Sequence, residues 1–432
     1  TTTKGIGGAR RNVLIGNYTG CDVQNECNVM IGPMAGQRLR GSKKNVIIGV
    51  YAGRGVAGAT DVGTGGGGEH NTIIGHAAGS SFRGGYFNII LGNNSGSSNS
   101  TGGCNVFLGM RAGQKNISGG SNVFIGRYTG CSSTTCSSNV AIGNQASRLG
   151  NPTNGVFIGN GAGKGVAGCA HISNIAIGVN AGFSLSTGGY NTLLGAGAGF
   201  CLCSGAYNVA IGCAAMRASG SGNINSNPSH NVVLGRCAGF ALSTTSHSIL
   251  LGNGVAKGLI SGNSNIAMMN GAMTCSVTAQ NTIALGGSAG RCITSGTYNI
   301  ALGQLAGCNI GSCKCNIFIG RYAGQMGGSS DNIAIGLKAG RCLGGAQGGA
   351  DSLGRGGINI MVGTCAGEQS TLTQAEIFIG SLAGRCNLTG TCTIAVGRGA
   401  GLGDTNGTAN VYIGNHSGGQ VCGGTSCCNV AI

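Results

Sequence analysis

The stretch NVFIGRYTG at residues 122–130 recurs with small variations along the whole 432-residue chain. Residues 45–53 read NVIIGVYAG and residues 316–324 read NIFIGRYAG. The shared pattern is an asparagine, three apolar residues, a first glycine, two variable residues, Ala or Thr, and a second glycine, followed by a linker of about eight residues. Self-similarity at a fixed spacing is the sequence mark of a repeat architecture.

The first glycine of each copy marks the period. Most steps between successive first glycines are 17 residues, a few are 16 or 19, and three are 26, 23 and 27. This spacing gives 23 units and the start of another at residues 429–432. We therefore predict a lead-in at 1–11 and one repeat array at 12–432, with long loop insertions at 54–70, 217–230 and 341–358.

The apolar run of each unit is too short for a helix, and its Ile, Val and Phe residues between Asn and Gly are typical of a short strand. A helix-pair repeat needs about twice the length of this unit. The sequence therefore predicts an all-β fold, a parallel β-solenoid or β-roll of about 23 coils stacked by backbone hydrogen bonds. At a strand spacing of about 4.8 Å, the coils would form a rod about 110 Å long.

Alternate residues of a strand point to opposite sides, so we expect Val123 and Ile125 to point into the coil and Phe124 to point outward. Since a strand that is apolar on both faces is buried on both, the outward stripe predicts an interface. We expect it to pack against copies of itself around a common axis in a homotrimer; the alternative is a wide coil whose second wall covers it within one chain. The stripe comprises Leu14, Met30, Ile47, Phe107, Phe124, Phe157, Phe318, Phe378 and Tyr412.

The asparagine before each strand predicts a side-chain ladder, in which each amide bonds the amides of the coils above and below. The two glycines are expected at tight corners, where glycine permits positive φ. Both interpretations are structural and assign no ligand. The ladder residues are Asn12, Asn28, Asn45, Asn71, Asn88, Asn105, Asn122 and Asn139.

The units NVAIG at 139–143 and 208–212, and NIAIG at 174–178, resemble the head repeats of trimeric autotransporter adhesins. They are equally similar to repeats of phage and giant-virus tail-fibre proteins. The resemblance covers essentially the whole chain. It implies a left-handed parallel β-roll, three chains about one axis, and a role in attachment or in a fibre.

Composition argues against a large enzyme core, because only 8% of the residues are charged, 92 are Gly and none is Trp. No set of residues predicts a catalytic centre, a metal site or a cofactor. No apolar run reaches 18 residues, so no membrane-spanning helix is expected. A catalytic solenoid and an ice-binding solenoid are weaker alternatives, because clustered carboxylates and a regular Thr array are both missing.

The net charge is +16, and arginines recur at two places in the unit. Arg291, Arg341 and Arg385 follow the second glycine. Stacked basic stripes predict either a solvated face or a surface for acidic polysaccharide, nucleic acid or an anionic cell surface. The stripe after the first glycine includes Arg111, Arg127, Arg236, Arg321 and Arg398.

The 22 cysteines favour an oxidising location outside a cell or on a particle. Several bracket one linker, where a disulfide would staple the loop, and one pair lies 17 residues apart on adjacent coils. Metal binding is the rival interpretation, but paired CxxC spacing is missing. The disulfide candidates are Cys21, Cys27, Cys131, Cys136, Cys275, Cys292, Cys308, Cys313, Cys315, Cys386, Cys392, Cys422, Cys427 and Cys428.

The sequence thus predicts a non-catalytic structural and adhesive fibre, located extracellularly, on a cell surface or on a virion. Its expected partners are copies of itself and an anionic surface or polysaccharide. Because Ile432 falls inside a motif, we also expect the array either to continue in further residues or to stack head to tail in a filament. A polyanion-binding module is the alternative function.

Overall fold

The structure is a computed structural model that describes residues 11–21, 23, 26–55, 68–217, 227–343, 357–371, 373–419 and 426–432. Most of the three predicted insertions and nearly all of the predicted lead-in lie outside these ranges. The described chain is a parallel β-solenoid of about 22 turns with a 17-residue period, which confirms the predicted fold class. Within the described ranges, no residue is helical.

The chain separates into two compact units, the first built mainly from residues 1–211 and the second mainly from residues 228–432. Among the described residues, each unit contains twelve short strands. The strands of the first unit are β1 (Val13–Ile15), β2 (Val29–Ile31), β3 (Val46–Ile48), β4 (Thr72–Ile74), β5 (Ile89–Leu91), β6 (Val106–Leu108), β7 (Val123–Ile125), β8 (Val140–Ile142), β9 (Val156–Ile158), β10 (Ile175–Ile177), β11 (Thr192–Leu194) and β12 (Val209–Ile211).

The second unit repeats the same three-residue strand, shortened to two residues in its last copy. Its strands are β13 (Val232–Leu234), β14 (Ile249–Leu251), β15 (Ile266–Met268), β16 (Ile283–Leu285), β17 (Ile300–Leu302), β18 (Ile317–Ile319), β19 (Ile333–Ile335), β20 (Ile360–Val362), β21 (Ile377–Ile379), β22 (Ile394–Val396), β23 (Val411–Ile413) and β24 (Val430–Ala431).

Within each unit, every strand pairs in parallel with the strand of the next coil, residue on equivalent residue. Phe107 of β6 lies opposite Phe124 of β7, for example. The register survives the longest spacings, because Ile47 still lies opposite Ile73 and Ala334 opposite Met361. The insertions at 54–70 and 341–358 therefore leave the strand register unchanged.

The interior of a coil is narrow and holds three stacked columns. The first is the middle strand residue, the second is the Ala or Thr before the second glycine, and the third lies in the linker. Where the middle strand residue is Phe124, the linker supplies Ser133, and where it is Ala284, the linker supplies Ile293; all four are buried. Large and small side chains thus compensate within a coil, as close packing requires.

The predicted orientation of the strand is wrong. Phe124 is fully buried inside the coil, whereas Val123 and Ile125 on either side are half-exposed. The same holds for the rest of the predicted outward stripe apart from Leu14 of the first strand, namely Met30, Ile47, Phe107, Phe157, Phe318, Phe378 and Tyr412. A single chain covers these side chains, so they form the core of the coil and no axial seam.

The two glycines have different reasons to be glycine. At Gly126 the backbone has φ of 131°, and an added Cβ would lie 2.5 Å from the carbonyl oxygen of Gly143 in the next coil. At Gly130 an added Cβ would lie 2.5 Å from the ring of Phe124. The first glycine therefore lets coils stack closely, and the second leaves room for the core side chain.

Candidate functional site

The asparagine before each strand is buried and bonds from coil to coil. Nδ2 of Asn122 donates to Oδ1 of Asn105 at 3.0 Å and to the carbonyl oxygen of Cys136 at 2.8 Å. Oδ1 of Asn122 accepts from the backbone N–H of Asn139 at 3.1 Å. The same pattern connects Asn12, Asn28, Asn45, Asn71 and Asn88. These amides satisfy backbone groups at the corner of each coil, so they are structural.

Two buried titratable groups interrupt this regular interior. Glu376 occupies a ladder position, and its burial raises the pKa of the carboxyl to about 9. His171 packs edge-on against the ring of Phe157, and burial lowers the pKa of its imidazole to about 4. Both groups are therefore neutral at pH 7. Neither is accessible to a substrate in the folded coil.

None of the 13 described disulfide candidates is bridged in the structure, and Cys422 lies outside the described residues. Cys131 and Cys136 of one linker are both buried, and burial raises the pKa of the Cys136 thiol to about 12. Cys275 lies next to Cys292 of the adjacent coil, and burial together with this neighbouring thiol raises the pKa of the Cys275 thiol. The predicted loop staples and the Cys275–Cys292 bridge stay predictions.

Within the described part of the chain, no group of three or more His, Cys, Asp or Glu side chains is placed to hold a metal ion. No described helix is long and apolar enough to cross a membrane. A cavity of about 640 Å³ in the second unit is lined by residues such as Ile310, Met326 and Cys342, and its described lining contains no acid or histidine.

Part of the predicted basic stripe gathers around one tyrosine of the first unit. The Cζ atoms of Arg111, Arg127 and Arg148 lie 5.4, 4.8 and 5.5 Å from the ring centroid of Tyr128. We call these four residues the Tyr128 cluster. Its members come from three successive coils, because the 17-residue period stacks the corner after the first glycine of one coil beside the linker of the next.

The local backbone explains why these side chains point outward together. Arg111 and Tyr128 both have left-handed φ, at 59° and 58°. The N–H of Tyr128 donates to the carbonyl oxygen of Met110 in the preceding coil at 3.0 Å. Arg148 is held by its own coil, where Nη1 donates to Oε1 of Gln145 at 3.1 Å. The cluster is therefore positioned by the coil stacking.

An equivalent arrangement occurs in the second unit, where Arg321 and Arg341 lie 4.8 and 5.8 Å from the ring centroid of Tyr322. We call these three residues the Tyr322 cluster. Arg321 and Arg127 hold the same place in the repeat, as do Arg341 and Arg148. Arg236 and Arg398 of the predicted stripe are exposed on other coils and belong to neither cluster.

The second unit adds a carboxylate to this arrangement. Glu368 is almost fully buried. Its Oε1 lies 3.5 Å from Nζ of Lys338 and 3.9 Å from Nη1 of Arg341, and its Oε2 lies 3.1 Å from Nε of Arg385. We call these four residues the Glu368 network. The basic stripe predicted from the sequence did not include Tyr128, Arg148 or Glu368. The signal for Arg148 was available, because it follows the second glycine position of the coil after Arg127.

Comparison of the chain with protein families, with curated proteins and with solved structures gives no match.

Proposed function

We propose that this chain is a non-catalytic structural protein that associates with copies of itself through the outer face of its strands. The assembly would form a fibre on a cell or virion surface. The observation that carries this proposal is the chemistry of the outward strand residues, which form an uncharged aliphatic surface in each unit.

The outward residues are the first and third of each strand. In the second unit every first residue is Val or Ile, and every third residue is Leu, Ile, Val or Met. In the first unit only Thr72 and Thr192 are polar at these positions. Individual side chains are substantially exposed; Ile89 and Ile413, for instance, are 44% and 43% exposed. A sheet face in contact with water normally carries polar residues. An aliphatic face of this kind therefore favours a partner that covers it.

The size of the face is compatible with a stable interface. Twelve strands of three residues, or two in β24, at a spacing of about 4.8 Å and a rise of about 3.3 Å per residue, give at most about 570 Å² in each unit. Two copies that meet through one such unit would together bury about 1,100 Å², which exceeds the roughly 1,000 Å² expected of a specific interface. The second copy is the occupant we propose, because two identical aliphatic sheets match each other in chemistry and in strand spacing.

The number of copies follows from the resemblance noted above. Repeats of the NVAIG type in trimeric adhesins and tail fibres favour three chains around one axis. The middle strand residue is buried within the coil and cannot meet this axis. The surface that meets the axis in this proposal is the aliphatic outer face of the strands. A location on a cell or virion surface is proposed on the same ground.

The test is the native mass of the full chain under non-denaturing conditions. A trimer of 42.2 kDa chains would have a mass of about 127 kDa. We expect Val123→Lys with Val140→Lys to give the 42.2 kDa monomer, because lysine ammonium groups would be buried in the interface. The matched control is Val123→Thr with Val140→Thr, since Thr72 and Thr192 already occupy equivalent positions.

A wild-type chain that remains monomeric at micromolar concentration would contradict the proposal. An assembly that both variants leave intact would show that another surface mediates association, and would equally overturn the role of the outer face. Circular dichroism of each variant confirms that the strands are still formed.

A further inference from the structure

We propose that the Tyr128 cluster binds an anionic group of an acidic polysaccharide. This inference goes beyond self-association and rests on a different surface of the coil. The cluster lies at the corner after the first glycine and in the following linker, whereas the outer face belongs to the strands. The two proposals can therefore fail separately.

Three guanidinium groups within 5.5 Å of one ring centroid create a concentrated positive charge. Arg111 and Arg127 are exposed, so their side chains can reach a ligand. The Nε atom of Arg148 is buried and has no hydrogen-bond acceptor among the described residues. A buried N–H donor without an acceptor is unfavourable, so a movement of the Arg148 side chain that brings this N–H to a bound oxyanion would be favoured.

The protein itself supplies no counter-charge nearby. No Asp or Glu occurs between Glu69 and Asp331, a stretch that includes every coil packed around the cluster. Among the residues that the structure describes, none of the three arginines takes part in an ion pair. The chain therefore places no carboxylate beside the three charges, and an anion from outside would lower their mutual repulsion beyond what water does.

The second unit demonstrates which group such an arrangement accepts. There Arg341, the equivalent of Arg148, joins Lys338 and Arg385 in holding the carboxylate of Glu368. In the first unit, Lys164 occupies the place in the repeat that Glu368 occupies in the second. The carboxylate is thus replaced by the ammonium of Lys164, whose Nζ lies 4.5 Å from the ring centroid of Phe183, and an oxyanion for Arg148 must come from outside the chain. Guanidinium groups suit carboxylate and sulfate oxygens because of their forked donors.

A polysaccharide fits the cluster better than a nucleic acid does. Single-stranded nucleic acids bind largely through bases stacked on open aromatic rings. The ring of Tyr128 already faces three guanidinium groups. The site therefore recognises a single anionic substituent and offers no platform for a base. Sulfate and carboxylate substituents on a sugar chain both have this chemistry.

The experiment measures binding of the full chain to heparin at about 0.1 M salt, with polygalacturonate as a carboxylate-only polymer and single-stranded DNA as the nucleic-acid arm. The test variant is Arg111→Gln, Arg127→Gln and Arg148→Gln combined. The control variant is Arg83→Gln, Arg236→Gln and Lys314→Gln, which removes three exposed charges on other coils. We expect a loss of at least about tenfold in heparin affinity for the test variant and less than about twofold for the control.

Equal losses in the two variants would show that binding depends on net charge alone and would overturn the site. Tighter binding of DNA than of either polysaccharide would also overturn it. Binding of heparin but not polygalacturonate would assign the site to sulfate, and binding of both would assign it to oxyanions in general; either result supports the site. The native mass of the test variant should equal that of the wild type, which separates this inference from the assembly proposal.

Discussion

The Tyr128 cluster and the Tyr322 cluster are built from the same places in the repeat, yet their charges are handled differently. In the second unit, Arg341 is neutralised by Glu368, which also binds Lys338 and Arg385. In the first unit, Arg148 faces no carboxylate, because none exists between Glu69 and Asp331. The residue after the second glycine is Lys164 in the first unit and Glu368 in the second. Its charge decides whether the neighbouring arginine has a carboxylate partner within the chain.

This difference teaches how a repeat protein acquires a local function without changing its fold. The ladder, the strand and the two glycines are fixed by the stacking of coils. The stacking of coils does not fix the exposed corner or the residue after the second glycine. The charge at these two places can therefore vary from coil to coil. A ligand site then requires only that stacked positions carry complementary side chains, because the period brings them together.

A second carboxyl group of the second unit, that of Glu376, sharpens the comparison and carries the largest expected effect. Glu376 is buried at a ladder position, and this burial raises the pKa of its carboxyl to about 9. Glu368, by contrast, lies among three cations. Because the folded pKa exceeds the unfolded value, the protonated group stabilises the fold most below about pH 4.5. This contribution is lost as the pH rises through about 9, at about 1.4 kcal/mol per pH unit, or on the order of 3 kcal/mol between pH 4.5 and 7.

The measurement is the free energy of unfolding from pH 4.5 to 9, for the wild type and for Glu376→Gln. The Gln variant should lose the downward slope over this range and be the more stable protein at pH 7. Parallel stability curves for the two proteins would show that Glu376 is ionised in the fold, and would contradict the assignment.

The next effect concerns the Tyr128 cluster directly. Lys164→Glu places a carboxylate where Glu368 lies in the second unit, next to Arg148 on the adjacent coil. We expect heparin affinity to fall by at least about tenfold, because the cluster then carries its own counter-ion. The control is Lys314→Glu, which makes the same change of charge at an exposed lysine elsewhere. Similar losses of heparin affinity in both variants would show that binding depends on net charge and would contradict a specific role for the position of Lys164.

Much of the fold was predictable because the period itself encodes it. Asn, Gly and β-branched residues recur in register, and only a stacked strand explains that spacing. The orientation of the strand was predicted wrongly, although the correct signal was present. Asn122 and Phe124 lie two residues apart and therefore share a face, so a buried amide ladder requires a buried Phe124. The three-residue strand of a narrow coil has room for one inward side chain.

The clusters were less predictable than the fold. The sequence marks Arg111 and Arg127 as a stripe, but it does not say that Arg148 of the next coil reaches the same ring. That contact depends on the left-handed backbone at Tyr128 and on side-chain direction at the corner. The contrast with Glu368 depends on which coils are adjacent across an insertion, and residues 344–356 lie outside the described part of the chain.

The smallest expected effect is a gain of binding in the second unit. Glu368→Gln removes the carboxylate and leaves Lys338, Arg341 and Arg385 without their shared counter-ion. The cations are 38–41% exposed, so water offsets much of their repulsion and we expect a loss of only about 1 kcal/mol in stability. The Glu368 network then becomes a second oxyanion site, and titration with a short heparin oligosaccharide should give two sites per chain where the wild type gives one.

Glu69→Gln, which breaks the exposed ion pair with Lys43, is the matched control and should leave one site. If Glu368→Gln also keeps one site, three stacked cations are insufficient for binding, and the arginine-rich geometry around Tyr128 must itself be what selects the anion.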